Sequence, residues 1–206
     1  LDKVDQVITN KSFHPVISKF IDLDNYIKNG GYSLFKKLKS KEVTYEEISK
    51  VISESNLRGL GGAGFPASKK WEFVRANKGP RMMCINGDEG EVGTFKDKYY
   101  LDTDPHRFLE GTLIAAHIVE AEKCFIYMRD EYPGIIKILR EEVKKLIKKG
   151  FVEENFIEVR RGAGAYICGE ESALIESVEG KRGIPRHRPP YVAQNGVYGL
   201  PTLVHN

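Results

Sequence analysis

The segment Phe156-Ile-Glu-Val-Arg-Arg-Gly-Ala-Gly-Ala-Tyr-Ile-Cys-Gly-Glu-Glu-Ser-Ala-Leu-Ile-Glu-Ser-Val-Glu-Gly180 contains a complete structural unit. Phe156–Val159 is an apolar run of strand length. The glycine-alanine stretch after it is a tight loop, and Glu170 to Glu179 is a helix stopped by Gly180. The same order recurs upstream. Met82-Met-Cys-Ile85 is a buried strand with Asn86-Gly87 as its exit, Phe108 to Ala121 is an apolar helix buried on two sides, and Cys124-Phe-Ile-Tyr-Met128 is the next strand. Pro133 opens a further helix that places Ile135, Ile136, Leu139, Val143, Leu146 and Ile147 inward and stops at Gly150. Alternating strands and helices predict an α/β fold, a mostly parallel sheet with helices on both faces. Ligands of such sheets bind beyond the carboxyl ends of the strands. The loops 86–93 and 161–171 fall at those ends.

Outside this unit the chain divides simply. Residues 1–57 predict a helical arm packed on the main domain, with short amphipathic helices from Leu23 to Leu38 and Thr44 to Ser55 around the Gly30-Gly31 turn. Residues 58–206 predict the ligand-binding domain. It opens with Arg58-Gly-Leu-Gly-Gly-Ala-Gly-Phe-Pro66 and a short helix through Trp71 and Val74. Gly183 to Pro201, punctuated by Pro185, Pro189, Pro190 and Pro201, predicts a long ordered loop over a site.

Composition excludes several classes. A net charge of +3 is too small to argue for nucleic acid, and the lysine runs at 36–41 and 144–149 are solvated helix faces. No apolar run approaches the roughly 18 residues a membrane span needs. No signal stretch opens the chain, so a cytoplasmic protein is expected. The first residue is Leu1, which fits a piece of a longer protein. Cys84, Cys124 and Cys168 are too far apart for a metal cluster, and an odd count argues for buried free thiols in a reducing compartment. The histidines (His14, His106, His117, His187, His205) share no metal-ligand spacing, and no Ser–His–acid hydrolase set is present.

Two glycine segments about a hundred residues apart suggest a flat cofactor gripped from both sides. Gly59, Gly61, Gly62 and Gly64, with Ala63 between them, leave the backbone bare enough for its N–H groups to close on an anionic or planar ligand. A tight connection that needs glycines for its angles explains them equally well, and no strand precedes them as a dinucleotide fingerprint requires. Phe65, Trp71 and Phe73 offer rings for stacking a purine, or ordinary core packing. Asn86-Gly-Asp-Glu-Gly-Glu91 sets an amide and three carboxylates in one loop. These groups suit ribose hydroxyls and ring N–H groups, or Mg²⁺, or an exposed acidic turn. Glu170 and Glu171 open a helix, where capping accounts for them and ligand contact is the sharper expectation. Lys69, Lys70 and Arg188 are candidate phosphate partners.

Taken together, Arg58–Pro66, Lys70-Trp71, Asn86-Gly-Asp-Glu89, Gly93-Thr-Phe-Lys-Asp97, Gly162-Ala-Gly-Ala-Tyr-Ile-Cys-Gly-Glu-Glu171 and Pro201-Thr-Leu-Val-His-Asn206 resemble one family. It is the flavoprotein (51 kDa or F-type) subunit of complex I, with relatives in NAD-linked formate dehydrogenases and NAD-reducing hydrogenases. The resemblance runs from about Leu57 to Asn206. It implies FMN in a deep pocket with NAD(H) stacked on it. Carried over by motif, Gly61, Gly62, Lys70, Asn86, Asp88, Glu89, Tyr166, Gly169, Glu170 and Asn206 would hold FMN. Phe65, Phe73 and Tyr191 would hold the adenine and Glu91 the nicotinamide side, with Glu171 and Arg188 as nucleotide neighbours. Gly59, Ala63 and Gly64 complete the cofactor-binding set, and no side chain is expected to be catalytic or to bind metal.

The resemblance further implies an electron-transfer module that exchanges a hydride between NAD(H) and FMN and single electrons with an iron–sulfur chain. Its partners would be other subunits, including a thioredoxin-like [2Fe–2S] one. The ubiquitin-like and [4Fe–4S] domains that follow in the family are not in these 206 residues, so a [4Fe–4S] cluster is expected only beyond them. Gly87 and Val92 stand where complex I proteins more often carry Ala and Pro, which favours a soluble NAD-linked dehydrogenase as parent. His205 stands where many relatives carry Asn. The rival expectation is an assembly fragment that keeps the fold without flavin.

Overall fold

The computed structural model describes residues 19–206. His14 and the first eighteen residues of the predicted arm lie outside the described residues. Three short helices come first: α1 (Leu23–Lys28), α2 (Ser33–Lys39) and α3 (Tyr45–Glu54). Asp22 caps α1, and Thr44 with Glu47 forms a reciprocal capping box on α3. After α4 (Ala67–Arg75) come β1 (Arg81–Gly87), α5 (Lys96–Thr103), α6 (Pro105–Ile118), β2 (Ala121–Met128), α7 (Pro133–Lys148), β3 (Ile157–Arg161), α8 (Glu171–Val178) and β4 (Thr202–His205). The four strands run parallel in the order β3-β2-β1-β4.

Because side chains alternate along a strand, each strand feeds two cores. Met83, Ile85, Cys124, Ile126, Met128, Ile157 and Leu203 face one way and pack with α6, α7 and the early helices. Cys84, Phe125, Tyr127 and Val204 face the other way and pack with Leu174, Ile175 and Val178 of α8 and Val192 and Val197 of the loop before β4. Leu23, Tyr32, Phe35, Leu38 and Ile48 of the early helices belong to the first of these cores. Tyr26 donates to Glu110 at 2.7 Å, and Tyr32 meets His106 at 3.0 Å. Cys84 and Cys124 are buried and free, as expected, and so is Cys168 inside the second glycine segment.

The structure departs from the sequence expectations at several boundaries. β1 continues through Asn86 and Gly87, the expected exit. α6 begins at Pro105 because Asp104 caps it and Pro105 presets its first turn, and β2 begins three residues early at Ala121. Glu170 is the N-cap of α8 and lies outside its first turn. α5 and β4 have no counterpart in the sequence reading. α5 buries only Leu101, so it has no periodic stripe, and β4 is four residues directly after Pro201.

β1 and β4 are neighbours whose connections leave on opposite faces of the sheet. β1 runs on through α5 and α6 on the first face, whereas β4 is reached from β3 through α8 on the second. Such a divergence opens a crevice at the strands' carboxyl ends.

Candidate functional site

Both crevice strands end in predicted site residues: Asn86–Glu91 follow β1 and Asn206 follows β4. The first glycine segment closes over Asn206 as a small lobe. Gly59 N–H donates to Phe65 O at 3.0 Å, Arg58 bridges to Pro66 and donates to Gly64 O, and Gly62 and Gly64 take positive φ of 104° and 61°. Those two angles favour glycine, so the tight-connection reading is correct for them. At Gly61 a Cβ would sit 3.6 Å from the Asn206 side chain, which itself accepts from Leu60 N–H at 3.2 Å. The exposed backbone of 60–63 and the Asn206 amide therefore share one wall.

Lys70, on α4, reaches under that lobe and donates to Val204 O at 3.0 Å. Burial pulls its ammonium below the usual lysine range, and Glu171 opposes the shift from farther off. Among the described residues no carboxylate lies within the 4 Å ion-pair distance of it, so a partly buried cation faces the crevice with only a carbonyl for partner. Trp71 Nε1–H donates to His205 Nε2 at 2.7 Å. His205 thus presents an unprotonated nitrogen, and burial, then Lys70, pushes its pKa down to about 4.

This depression has a stability consequence. The folded state favours neutral His205, so the contribution is complete above the ordinary value of 6.5 and is lost as pH falls from there toward 4. We predict that His205→Gln, a neutral acceptor of similar reach, removes on the order of 3 kcal/mol of acid sensitivity across that window. Urea unfolding at pH 7 and pH 4.5 measures it. An equal loss of stability in both proteins would contradict the assignment.

The second glycine segment forms the facing wall. Asn86 Nδ2 donates to Gly169 O at 2.8 Å, and Asn86 Oδ1 accepts from Asp88 N–H at 3.1 Å, so the two loops are stitched together. A Cβ on Gly169 would lie 3.6 Å from Asp88 O, and one on Gly90 would lie 3.3 Å from the Tyr166 ring. Tyr166 donates to Glu91 at 2.5 Å while most of its ring is exposed. Asp88 is raised to about 6, by burial first and then by Glu131, with Arg129 opposing.

Glu170 meets the capping reading, and Glu170 and Glu171 together hold Arg188 at the crevice. One Glu170 oxygen caps α8, accepting from Ser172 and Ala173 N–H at 3.0 Å each, and the other pairs with Arg188. Glu171 pairs with the same guanidinium at 3.1 Å. The loop bearing Arg188 is anchored by Arg186, which holds Glu176, Glu179 and the carbonyls of Asn195 and Gly196. Phe65 and Phe73 are half-exposed, with ring centroids 6.1 Å apart. Tyr191 is exposed on the 183–201 loop, and among the described residues no ring contact joins it to that pair.

Glu89 is placed differently from its neighbours. Its side chain is buried, one oxygen accepts from Asp97 N–H at 2.8 Å, and the other accepts from Lys98 N–H and the Tyr132 hydroxyl at 3.2 Å each. It works as a cap on the first turn of α5. A cleft of about 780 Å³ is at the opposite, amino edge of the sheet, between Phe35, Tyr45, Arg75, His117 and Phe156. Arg75 is already committed there to Glu120, to Ile118 O and to the Tyr45 ring. No group of His, Cys, Asp and Glu among the described residues is arranged to hold a metal ion. No described helix is long and apolar enough to cross a membrane.

Sequence reasoning missed Arg129, Tyr132 and the Trp71–His205 contact. Arg129 follows directly on β2 and Tyr132 closes the same loop, so the rule that strand ends carry function pointed to them.

The Nuo51 FMN-binding domain family matches residues 52–206. The F component of the NADH-quinone oxidoreductase of Aquifex aeolicus is 48% identical over 192 residues, covering 89% of this chain and 45% of that protein. The mitochondrial NADH dehydrogenase [ubiquinone] flavoprotein 1 of Dictyostelium discoideum is 45% identical, covering 77% of this chain and 36% of that one. An air-oxidized NAD⁺-reducing [NiFe]-hydrogenase superposes over 100% of this chain and 37% of its own, with a TM-score of 0.79 at 36% identity. The chain spans about half the length, or less, of these relatives.

Proposed function

The chain belongs to the Nuo51 FMN-binding domain family, and on that footing we propose that it is the NADH:FMN electron-transfer module of a larger oxidoreductase. The observation that carries the reading is the Lys70 ammonium, partly buried at the end of β4 on the side of the glycine segment, with no carboxylate within ion-pair distance among the described residues. That combination suits a phosphate. FMN, when bound, would accept the hydride and release its electrons singly. The chain's own residues bind and orient. Lys70 and the Gly59–Gly64 backbone take the phosphate side, Asn86, Asp88 and Asn206 offer amide and carboxylate partners to a polar ring edge, and Tyr166, Gly169 and Glu170 line the second wall. Phe65 and Phe73 offer a platform to an adenine, with Tyr191 beside the entrance. Glu91, Glu171 and Arg188 are the nucleotide's polar neighbours. Glu89 holds the loop and does not need to touch the flavin.

Residues 58–206 form the cofactor-binding unit in this reading, braced by the helices before them through Phe35, Leu38 and Ile48. The 48% identity to the Aquifex protein supports an NADH-quinone oxidoreductase-like parent over the formate branch suggested by Gly87 and Val92. The remaining subunits, a thioredoxin-like [2Fe–2S] protein among them, would take the electrons on the cytoplasmic side. Titrating the 206-residue chain with FMN and following flavin fluorescence tests the pocket. Saturable quenching at one site per chain is the expected result, and unquenched flavin supports the assembly-fragment alternative.

A further inference from the structure

The loop that presents Asp88 and Glu91 to the crevice is gripped from behind by a residue outside every motif named above. Arg129 is the first residue after β2, and its N–H extends the ladder to Gly87 O at 3.2 Å. Its guanidinium donates through Nη1 to Glu89 O at 2.5 Å, and Glu131 holds the other side, at 2.9 Å from Nε and 3.2 Å from Nη2. The group also lies over the Tyr132 ring, 5.6 Å from its centroid, while the Tyr132 hydroxyl reaches Glu89 Oε2. A planar fork bonded to a backbone carbonyl and a carboxylate at once has little freedom left.

We propose that Arg129 is a positioning residue for the flavin site, fixing from behind the turn that carries Asp88 and Glu91. The proposal rests on the FMN reading above. The charges around the turn are Glu131 and Arg129 after β2, Glu89 within the turn, Lys96 and Asp97 opening α5, and Asp130 after β2 paired with Arg161 at the end of β3. Of these, Arg129 lowers the Asp88 pKa and Glu131 raises it. Arg129 therefore fixes both the turn's backbone and the balance of charge at its first carboxyl group.

FMN affinity of the full chain is measured from pH 5 to pH 8 for wild type, Arg129→Ala and Arg129→Lys. Wild-type affinity should rise through an inflection near pH 6 as Asp88 ionises, added to the rise from the flavin's own phosphate, whose second pKa is about 6 and which is common to all three proteins. Arg129→Ala should bind about ten-fold more weakly at pH 7 with its inflection moved upward, and Arg129→Lys should recover the inflection but only part of the affinity. Weaker binding with an unmoved inflection, or no change at all, overturns the proposal. Glu131→Gln, at an exposed position, should produce a smaller loss and keeps the test available if Arg129→Ala misfolds. If wild type binds no FMN, the flavin reading fails. Arg129 is then decided by amide exchange in the ligand-free chain, where Asp88 and Gly90, whose N–H groups are bonded within the turn, should exchange about ten-fold faster in Arg129→Ala. Equal rates there would also overturn it.

Discussion

Lys70→Met is expected to weaken FMN binding by about 10- to 100-fold, because a hydrogen bond to a charged partner contributes about 1.5–3 kcal/mol. The size follows from the surroundings of the ammonium. It is partly desolvated, bonded to Val204 O, and electrostatically offset only by the more distant Glu171. A bound phosphate would complete that arrangement. Removing the charge from the ligand-free chain relieves an unbalanced cation and sacrifices one hydrogen bond, so stability should change by no more than about 1 kcal/mol. Flavin titration and thermal melts on the same samples separate the two effects. Unchanged affinity would remove Lys70 from the phosphate site. A loss of several kcal/mol in stability would make it a structural lysine instead.

Glu89→Ala should have the opposite profile, destabilising the ligand-free chain by about 2–4 kcal/mol by removing a buried carboxylate that three donors and the first turn of α5 share. Asp97 N–H, Lys98 N–H and the Tyr132 hydroxyl all lose their acceptor. For a chain of this size the loss corresponds to a melting point lowered by roughly 4–15 °C. FMN affinity, measured well below the melting transition, should fall much less than in Lys70→Met. A stable Glu89→Ala protein that has lost flavin would restore Glu89 as a direct contact.

Much of the site is legible in the sequence because strand ends carry function in parallel sheets, and both Met82–Ile85 and Phe156–Val159 announce such ends. Gly59–Gly64 is legible as a ligand wall but not as a lobe folded over Asn206, since that closure is a long-range contact. β4 escapes notice because four residues after a proline carry no period, and only pairing with β1 makes them a strand. The capping role of Glu89 escapes notice for a related reason. Asn86–Glu91 reads as three equivalent acids, yet the turn sends one of them into the interior to cap α5, a helix with a single buried apolar residue and hence no periodic signature. Capping and ligand contact at Glu170 look like alternatives in the sequence. Its two oxygens divide between the α8 amides and Arg188, so capping leaves one oxygen turned to the crevice side.

The most direct test of the NADH:FMN reading is an anaerobic titration of the FMN-loaded 206-residue chain with NADH. The account predicts stoichiometric bleaching of the oxidised flavin band near ~450 nm, the behaviour of a flavin that accepts a hydride from bound nicotinamide. Saturable FMN binding with no bleaching at excess NADH would contradict it, leaving a flavin-holding domain without the nicotinamide site.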